Sequence, residues 1–209
     1  GLLAYAQNGL DRVLLADHIG LAELARFAVA GKCALAVVLL MQPFGIWWSP
    51  RRFAVLHQAN GRQQAVACIS LGLVLLLLVT LLVATLSPLL IGQLLPESYG
   101  DAGAYATALV LIMALKEASE LLNLGCMSGD HSRTQLLINL LSALLAVGTI
   151  LLWIAPFGVW GIIAGLGLSQ LLRLVLFYLA SQRQCPLPYR IGPLLLLTAI
   201  TLAGLVPGV

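Results

Sequence analysis

Long runs of apolar residues fill most of this chain, and short polar breaks separate them. A helix needs about 20 mostly apolar residues to cross the hydrocarbon core of a bilayer. No run shows the alternation of barrel strands, and backbone groups in lipid must be paired within their own segment. The pattern therefore predicts an all-α polytopic membrane bundle, with a partial span near 1–16 and six full spans near 21–48, 64–92, 103–127, 134–155, 159–181 and 191–207.

The residues in the breaks favour turns rather than continued helix. Pro96, Gly129 and Gly158 each lie between two apolar runs, and proline and glycine are the strongest local interruptions of helical structure. Pro43 differs because it lies inside a span, where it predicts a kink in the helix. In a transporter, a kink at this position would serve as a hinge.

Basic residues are distributed unequally between the two sets of alternating loops. Loops 49–63, 128–133 and 182–190 contain six arginines, whereas the short loops between them contain acids and no basic residue. Positively charged loops are retained in the cytoplasm. We therefore expect loops 49–63, 128–133 and 182–190 to be cytoplasmic, in a multi-pass protein.

Composition supports a membrane location and excludes several functional classes. The chain is 61% hydrophobic and 9% charged, whereas a soluble domain has roughly 25% charged residues. The net charge of +3 comes from scattered basic residues, which gives no indication of nucleic-acid binding.

The four cysteines of the chain form no CxxC pair, so we expect no disulfide, metal site or cofactor. Motifs for nucleophilic, zinc-dependent or phosphate-binding enzymes are absent, and we expect no enzymatic activity.

Several charged residues lie inside the predicted spans. Lys116, Glu117 and Glu120 fall in span 103–127 at spacings that place them on one side of a helix. Charges in the membrane are costly and usually face a protein interior or a watery cavity. We therefore predict a hydrophilic substrate pathway formed by Asp11, Arg12, Lys32, Lys116, Glu117, Glu120 and Arg173. A simpler interpretation stays open, in which Lys116 and Glu120 pair with each other and only join their helix to a neighbour.

Three stretches of the chain resemble one family of transporters. They are LDRVLLADHIGLAELARFAVAGK at 10–32, MQPFGIWWSP at 41–50, and the run Tyr105–Arg183 with its SGDHSRT and PFGVWGIIAG turns. Together they are similar to the carboxyl-terminal portion of Wzx-type polysaccharide flippases of the MOP superfamily. Residues 104–182 resemble the polysaccharide biosynthesis C-terminal domain most closely. Arg26 departs from the pattern because the family often has glycine there, and we expect this charge to alter the outer gate.

The resemblance implies a fold, a location and a substrate. Residues 1–209 would form a single helical lobe, as a fragment of a longer two-lobed transporter in the bacterial inner membrane. The protein would carry an undecaprenyl-diphosphate-linked oligosaccharide to the outer leaflet by alternating access, for O-antigen and lipopolysaccharide biosynthesis. Its partners would be this lipid-linked oligosaccharide, membrane lipids, a coupling ion (H+ or Na+) and polysaccharide assembly proteins. Arg12, Lys32, Lys116 or Arg173 would contact the diphosphate or the sugar acids. Glu117 and Glu120 would hold these cations in place or take up a proton.

Two other functions fit the same residues. A MATE-like exporter coupled to a cation would use the acids to bind the drug or the coupling ion. A membrane scaffold for polysaccharide synthesis would transport nothing and would keep its buried charges paired and dry. Water access to the charged face of span 103–127 separates the scaffold from both transporters.

Overall fold

The computed structural model describes residues 20–56, 60–127 and 132–184, together with residues 58, 192 and 199. Within these residues every regular element is helical and no strand is present. The elements are α1 (Leu21–Leu56), α2 (Gly61–Leu94), a 3₁₀ turn (Glu97–Tyr99), α3 (Ala102–Leu122), α4 (Leu124–Met127), α5 (Ser132–Phe157) and α6 (Val159–Gln184). The predicted all-helical class is confirmed for this part of the chain.

Helix α3 forms the centre of the bundle. It packs against α1 and α2 on one side and against α6 on another, and α5 packs mainly on α6. Most residues of α3 are buried, including Ala108, Val110, Leu115 and Leu122. Small and branched apolar side chains allow these helices to approach closely, as is usual for helices that pack in a membrane.

Glycines set the closest helix contacts. Gly158 has a φ of 56° and forms the turn between α5 and α6, a left-handed conformation that glycine adopts without strain. Three residues later, a Cβ added at Gly161 would collide with the main-chain carbonyl of Trp153. One turn further on, a Cβ at Gly165 would lie 2.7 Å from Thr149 Oγ1. These glycines therefore permit α5 and α6 to form a tight antiparallel pair.

The two ends of the bundle differ in charge. Helices α1, α3 and α6 run in one direction, and α2 and α5 run in the other. One end, called the arginine end, contains the arginines at the turn between α1 and α2, at the start of α5 and at the end of α6: Arg51, Arg52, Arg62, Arg133 and Arg183. The opposite end, called the acidic end, contains Glu23, Glu97 and Asp101.

Exposed large apolar side chains form a band between these two ends. They extend from Leu21 to Trp47 on α1, from Leu71 to Leu94 on α2 and from Leu136 to Phe157 on α5. At a rise of about 1.5 Å per residue these stretches measure about 39, 35 and 32 Å, close to the roughly 30 Å of a bilayer core. This apolar band identifies the surface that faces lipid.

Four described helices are long and apolar enough to span a membrane, namely α1, α2, α5 and α6. They correspond to the predicted spans near 21–48, 64–92, 134–155 and 159–181. The predicted loop 49–63 was too long, because α1 continues through Pro50 to Leu56 and α2 begins at Gly61. The span predicted at 103–127 corresponds to the central helix α3, which is 21 residues long and is not one of the four. The segments 1–16 and 191–207 lie outside the described helices, so the predicted total of six full spans and a partial one stays a prediction.

Helices α1 and α2 extend beyond the apolar band at the arginine end. Helix α1 has 36 residues, or about 54 Å, and passes through Pro43 and Pro50 without interruption. On the arginine-end side of Trp47 and Leu71, the described side chains of α1 and α2 include no exposed large hydrophobic residue. We call this part, residues 48–70, the projecting hairpin.

Candidate functional site: a polar junction between three helices

An arginine connects three helices in the half of the bundle nearer the arginine end. Arg173 on α6 forms an ion pair with Glu120 on α3, with 2.5 Å between Nη2 and Oε1. It also donates a hydrogen bond from Nε to Oδ1 of Asn139 on α5, at 3.0 Å. Its guanidinium carbon lies 5.3 Å from the centre of the Phe177 ring, in cation–π geometry. The planar guanidinium is suited to this role because it can bind two acceptors at once.

A buried amide completes the junction. Asn123 directly follows α3, is fully buried, and donates a hydrogen bond from Nδ2 to Glu120 Oε2 at 3.0 Å. Each carboxylate oxygen of Glu120 therefore accepts a hydrogen bond. Oδ1 of Asn123 is buried without a hydrogen-bond partner. We refer to Arg173, Glu120, Asn139 and Asn123 together as the polar junction.

Lys116 and Glu117 lie on the same side of α3 as Glu120. Between Leu111 and Leu122, the residues of α3 that retain solvent exposure are Met113, Lys116, Glu117 and Glu120. Their spacing of three, one and three residues places them on one face of the helix. The remaining residues of this stretch are buried. The arginine-end half of α3 thus has a single open face, and three of its four residues are charged.

The partner of Glu120 distinguishes the structure from the simpler sequence interpretation. Spacing alone suggested a pair between Lys116 and Glu120 within α3, but the ion pair of Glu120 is formed across helices with Arg173. The depth of Glu120 also differs from the expectation, since α3 ends at Leu122 rather than near residue 127. Leu121 contacts the Gly72 region of α2, which adjoins the edge of the apolar band at Leu71. Glu120 therefore lies near this edge.

Lys32 lies apart from the polar junction. Helix α1 packs into the core through Phe27, Ala30, Ala34, Val37 and Met41, which lie three and four residues apart and form one helical face. Lys32 is on another side of the helix and is exposed, like Leu35 and Leu39. The structure therefore does not bring Lys32 together with Lys116, Glu117, Glu120 and Arg173.

The remaining predicted site residues have separate positions. Pro43 is exposed within the continuous helix α1. Asp11 and Arg12 lie outside the residues that the structure describes. Asn139 was not predicted as a site residue, although a lone amide within the apolar run of α5 was an available signal. Among the described residues, no group of three His, Cys, Asp or Glu side chains is placed to hold a metal ion.

A second charged cluster lies at the acidic end. Arg26 on α1 forms ion pairs with Glu23, at 2.5 Å, and with Asp101 just before α3, at 3.4 Å. Its Nε donates a hydrogen bond to the main-chain oxygen of Ser98 at 2.7 Å. The hydroxyl of Tyr105 donates to Glu23 Oε2 at 3.3 Å. We call this cluster the acidic-end clasp, because it ties the first turn of α1 to the connection before α3.

Comparison with known proteins adds no assignment. No protein-family model, curated protein or solved structure matches the chain.

Proposed function

We propose that the chain is part of a membrane flippase that moves undecaprenyl-diphosphate-linked oligosaccharide across the bacterial inner membrane by alternating access. The arginine end would lie in the cytoplasm, in agreement with the distribution of basic residues between loops. The sequence resemblance to Wzx-type flippases supports the substrate class. Four long apolar helices support the membrane setting.

The open charged face of α3 is the observation that carries this proposal. A central helix of a membrane bundle would usually be apolar on every side, because each ionised group in the apolar region is costly. Here Lys116 and Glu117 are half-buried and retain solvent exposure, and Glu120 is 43% exposed while paired with Arg173. Charges arranged along one open face fit a pathway that water and a polar headgroup can enter.

The chemistry of the face suits a phosphate-containing substrate that exchanges partners during transport. Lys116 and Arg173 are cations that would offset the charge of a diphosphate in a region of low dielectric constant. Glu117 and Glu120 balance them when no substrate is bound. A substrate phosphate that displaces Glu120 from Arg173 would replace the hydrogen bond from Nη2 to Glu120 Oε1 by one of the same kind, because guanidinium groups bind both carboxylate and phosphate oxygens. Release of the substrate would restore the ion pair between Glu120 and Arg173.

Thiol labelling tests whether the face is wet. In a background in which Cys33, Cys68, Cys126 and Cys185 are replaced by serine, we expect Lys116→Cys and Met113→Cys to react with a membrane-impermeant thiol reagent. Met113 is the sharper probe because it lies seven residues, or about 10 Å, from Glu120 toward the middle of the bundle. Leu144→Cys, on the lipid-facing side of α5, should stay unreactive, and Arg62→Cys should react fully.

The same variants can contradict the pathway. If Met113→Cys and Lys116→Cys are both unreactive from either side of the membrane, the face is dry and the transport proposal fails. A second test uses complementation of surface polysaccharide production in cells. Lys116→Gln should lower production at least tenfold at unchanged protein level, while Arg183→Gln, at the end of α6, should not. Normal production with Lys116→Gln would remove Lys116 from the pathway.

One observation favours the scaffold as a second candidate. Both oxygens of Glu120 and the guanidinium of Arg173 already have partners, as expected for a junction that only holds helices together. A scaffold predicts that Met113→Cys is unreactive and that Lys116→Gln has no effect on polysaccharide production. The two experiments therefore decide between the two functions.

A further inference from the structure

Exposed arginines dominate the charge of the arginine end beyond the apolar band. Arg51, Arg62, Arg133 and Arg183 are all exposed there. The described residues of the projecting hairpin include no aspartate or glutamate, and the acid nearest to it is Glu120 at the band edge, which is paired with Arg173 and also interacts electrostatically with Arg52. Arg51, Arg133 and Arg183 lie three or four residues from the band edge in their own helices, whereas Arg62 lies nine residues from Leu71 in the projecting hairpin. The surface therefore combines cationic groups with the border of a lipid-facing region.

An ordered pair of side chains occupies this border on α1. The guanidinium carbon of Arg51 lies 4.9 Å from the centre of the Trp47 ring, and its Nη1 donates to the Trp47 main-chain oxygen at 3.3 Å. Trp47 is itself 43% exposed and stacks on the buried Trp48. A guanidinium has five N–H donors, so this contact leaves donors for a ligand. Tryptophan is typical of the headgroup level of a membrane.

We propose that this surface binds the headgroups of anionic phospholipids in the leaflet at the arginine end. The polar part would lie against Arg51 and the neighbouring exposed arginines, and the acyl chains would lie along the band beside Ile46 and Leu71, which are exposed. A phospholipid covers the cationic and apolar parts together. An acidic protein would cover the cations alone and leave the adjoining apolar edge uncovered. The proposal is independent of the transported substrate.

Arginine is well suited to this ligand. A planar guanidinium binds phosphate oxygens through two parallel hydrogen bonds, and stacking on Trp47 fixes its orientation beforehand. Each basic residue near an anionic membrane surface contributes about a fivefold gain in binding. Loss of Arg51 and Arg62 together should therefore weaken the preference for anionic lipid by about 25-fold.

Native mass spectrometry of the purified protein in detergent tests the proposal with two lipids of identical acyl chains, phosphatidylglycerol and phosphatidylcholine. We expect the unmodified protein to retain phosphatidylglycerol preferentially, and the double variant R51Q/R62Q to lose most of that preference. Lys32→Gln is the matched control, because it removes an exposed cation from the same helix away from the hairpin. It should retain the preference.

Further variants separate the contributions of charge and geometry. Arg51→Lys should keep part of the preference, since the charge remains while the bidentate hydrogen bonding is lost. Trp47→Leu should weaken it by less than the double variant does. Equal retention of both lipids by the unmodified protein, or an unchanged preference in R51Q/R62Q, would overturn the proposal. So would binding of a soluble acidic peptide in place of phosphatidylglycerol. None of these outcomes affects the thiol-labelling test of the transport pathway.

Discussion

The polar junction and the acidic-end clasp both rely on one arginine, yet they join different parts of the molecule. Arg26 in the clasp connects the first turn of α1 to the connection before α3, and its partner Asp101 is 70% exposed. Arg173 in the polar junction connects three helices and is only 12% exposed. Arginine–carboxylate ion pairs therefore stabilise a connection at one end of the bundle in the clasp, and contacts between helices inside the bundle in the polar junction. The structural setting, rather than the number of charges, should determine how much each arginine contributes.

Removal of Arg173 should have the largest effect on stability. Arg173→Ala leaves the Glu120 carboxylate without its cation and Asn139 Oδ1 without a donor. Breaking a buried ion pair by removing one partner costs about 3–5 kcal/mol, and the partial exposure of Glu120 reduces this to about 2–4 kcal/mol. Thermal unfolding in detergent measures the loss. Arg183→Ala on the same helix is the control, with an expected change within about 0.5 kcal/mol.

A double-mutant cycle sharpens the assignment of that effect to one pair. The coupling energy between Arg173→Ala and Glu120→Ala should be about 1–3 kcal/mol, because directly contacting residues are not additive. The stabilities of the two single variants and of the double variant, measured under one set of conditions, give this value. A coupling near zero would show that Arg173 stabilises the bundle through Asn139 and Phe177 alone.

Loss of Arg26 should have a smaller and salt-dependent effect. Arg26→Ala removes two ion pairs and one hydrogen bond at a partly exposed site, for which we expect about 1 kcal/mol. Raising the salt concentration to 1 M should shrink the difference from the unmodified protein, since exposed charges are screened. If Arg26→Ala destabilised the protein more than Arg173→Ala, the contrast between the two regions would be wrong.

Asp101 should contribute least. Its carboxylate is mostly exposed and lies 3.4 Å from the Arg26 guanidinium, so Asp101→Asn should change stability by less than about 0.5 kcal/mol. Glu23→Gln is the informative comparison within the clasp. The Glu23 carboxylate binds both Arg26 and Tyr105. Glu23→Gln should therefore lower the free energy of unfolding more than Asp101→Asn does in the same measurement.

The sequence predicted the ends of α2, α5 and α6 to within three residues, because local turn residues mark them, but α1 continues eight residues past its predicted end at 48 and through Pro50. Gly158 forces the turn between α5 and α6, and the connection after α2 begins at Pro96. The end of α3 was predicted five residues too late, since no proline or charged run marks Asn123. Asn123 leaves the helix with φ −78° and ψ 7°, and the chain is helical again from Leu124. A break of one residue cannot be recognised from apolar periodicity.

The candidate site was less predictable because partner choice depends on packing between distant segments. The spacing of Lys116 and Glu120 suggested that these two residues pair with each other. Arg173, however, lies 53 positions from Glu120 in the chain and becomes its partner only when α6 packs against α3. The exposure of Lys32 was also unpredictable, because leucine and alanine occur on all sides of α1. The direction of a charged side chain cannot be read from so uniform a helix.

The length of α1 has a practical consequence for studying motion in this protein. One continuous helix about 54 Å long runs from the acidic-end clasp to a tip in the projecting hairpin. A change in its tilt of about 10° around the clasp would displace that tip by about 9 Å, by simple trigonometry on this length. A fluorophore or spin label on Arg62→Cys would therefore magnify small rearrangements between lipid-embedded segments into distances that spectroscopy resolves readily.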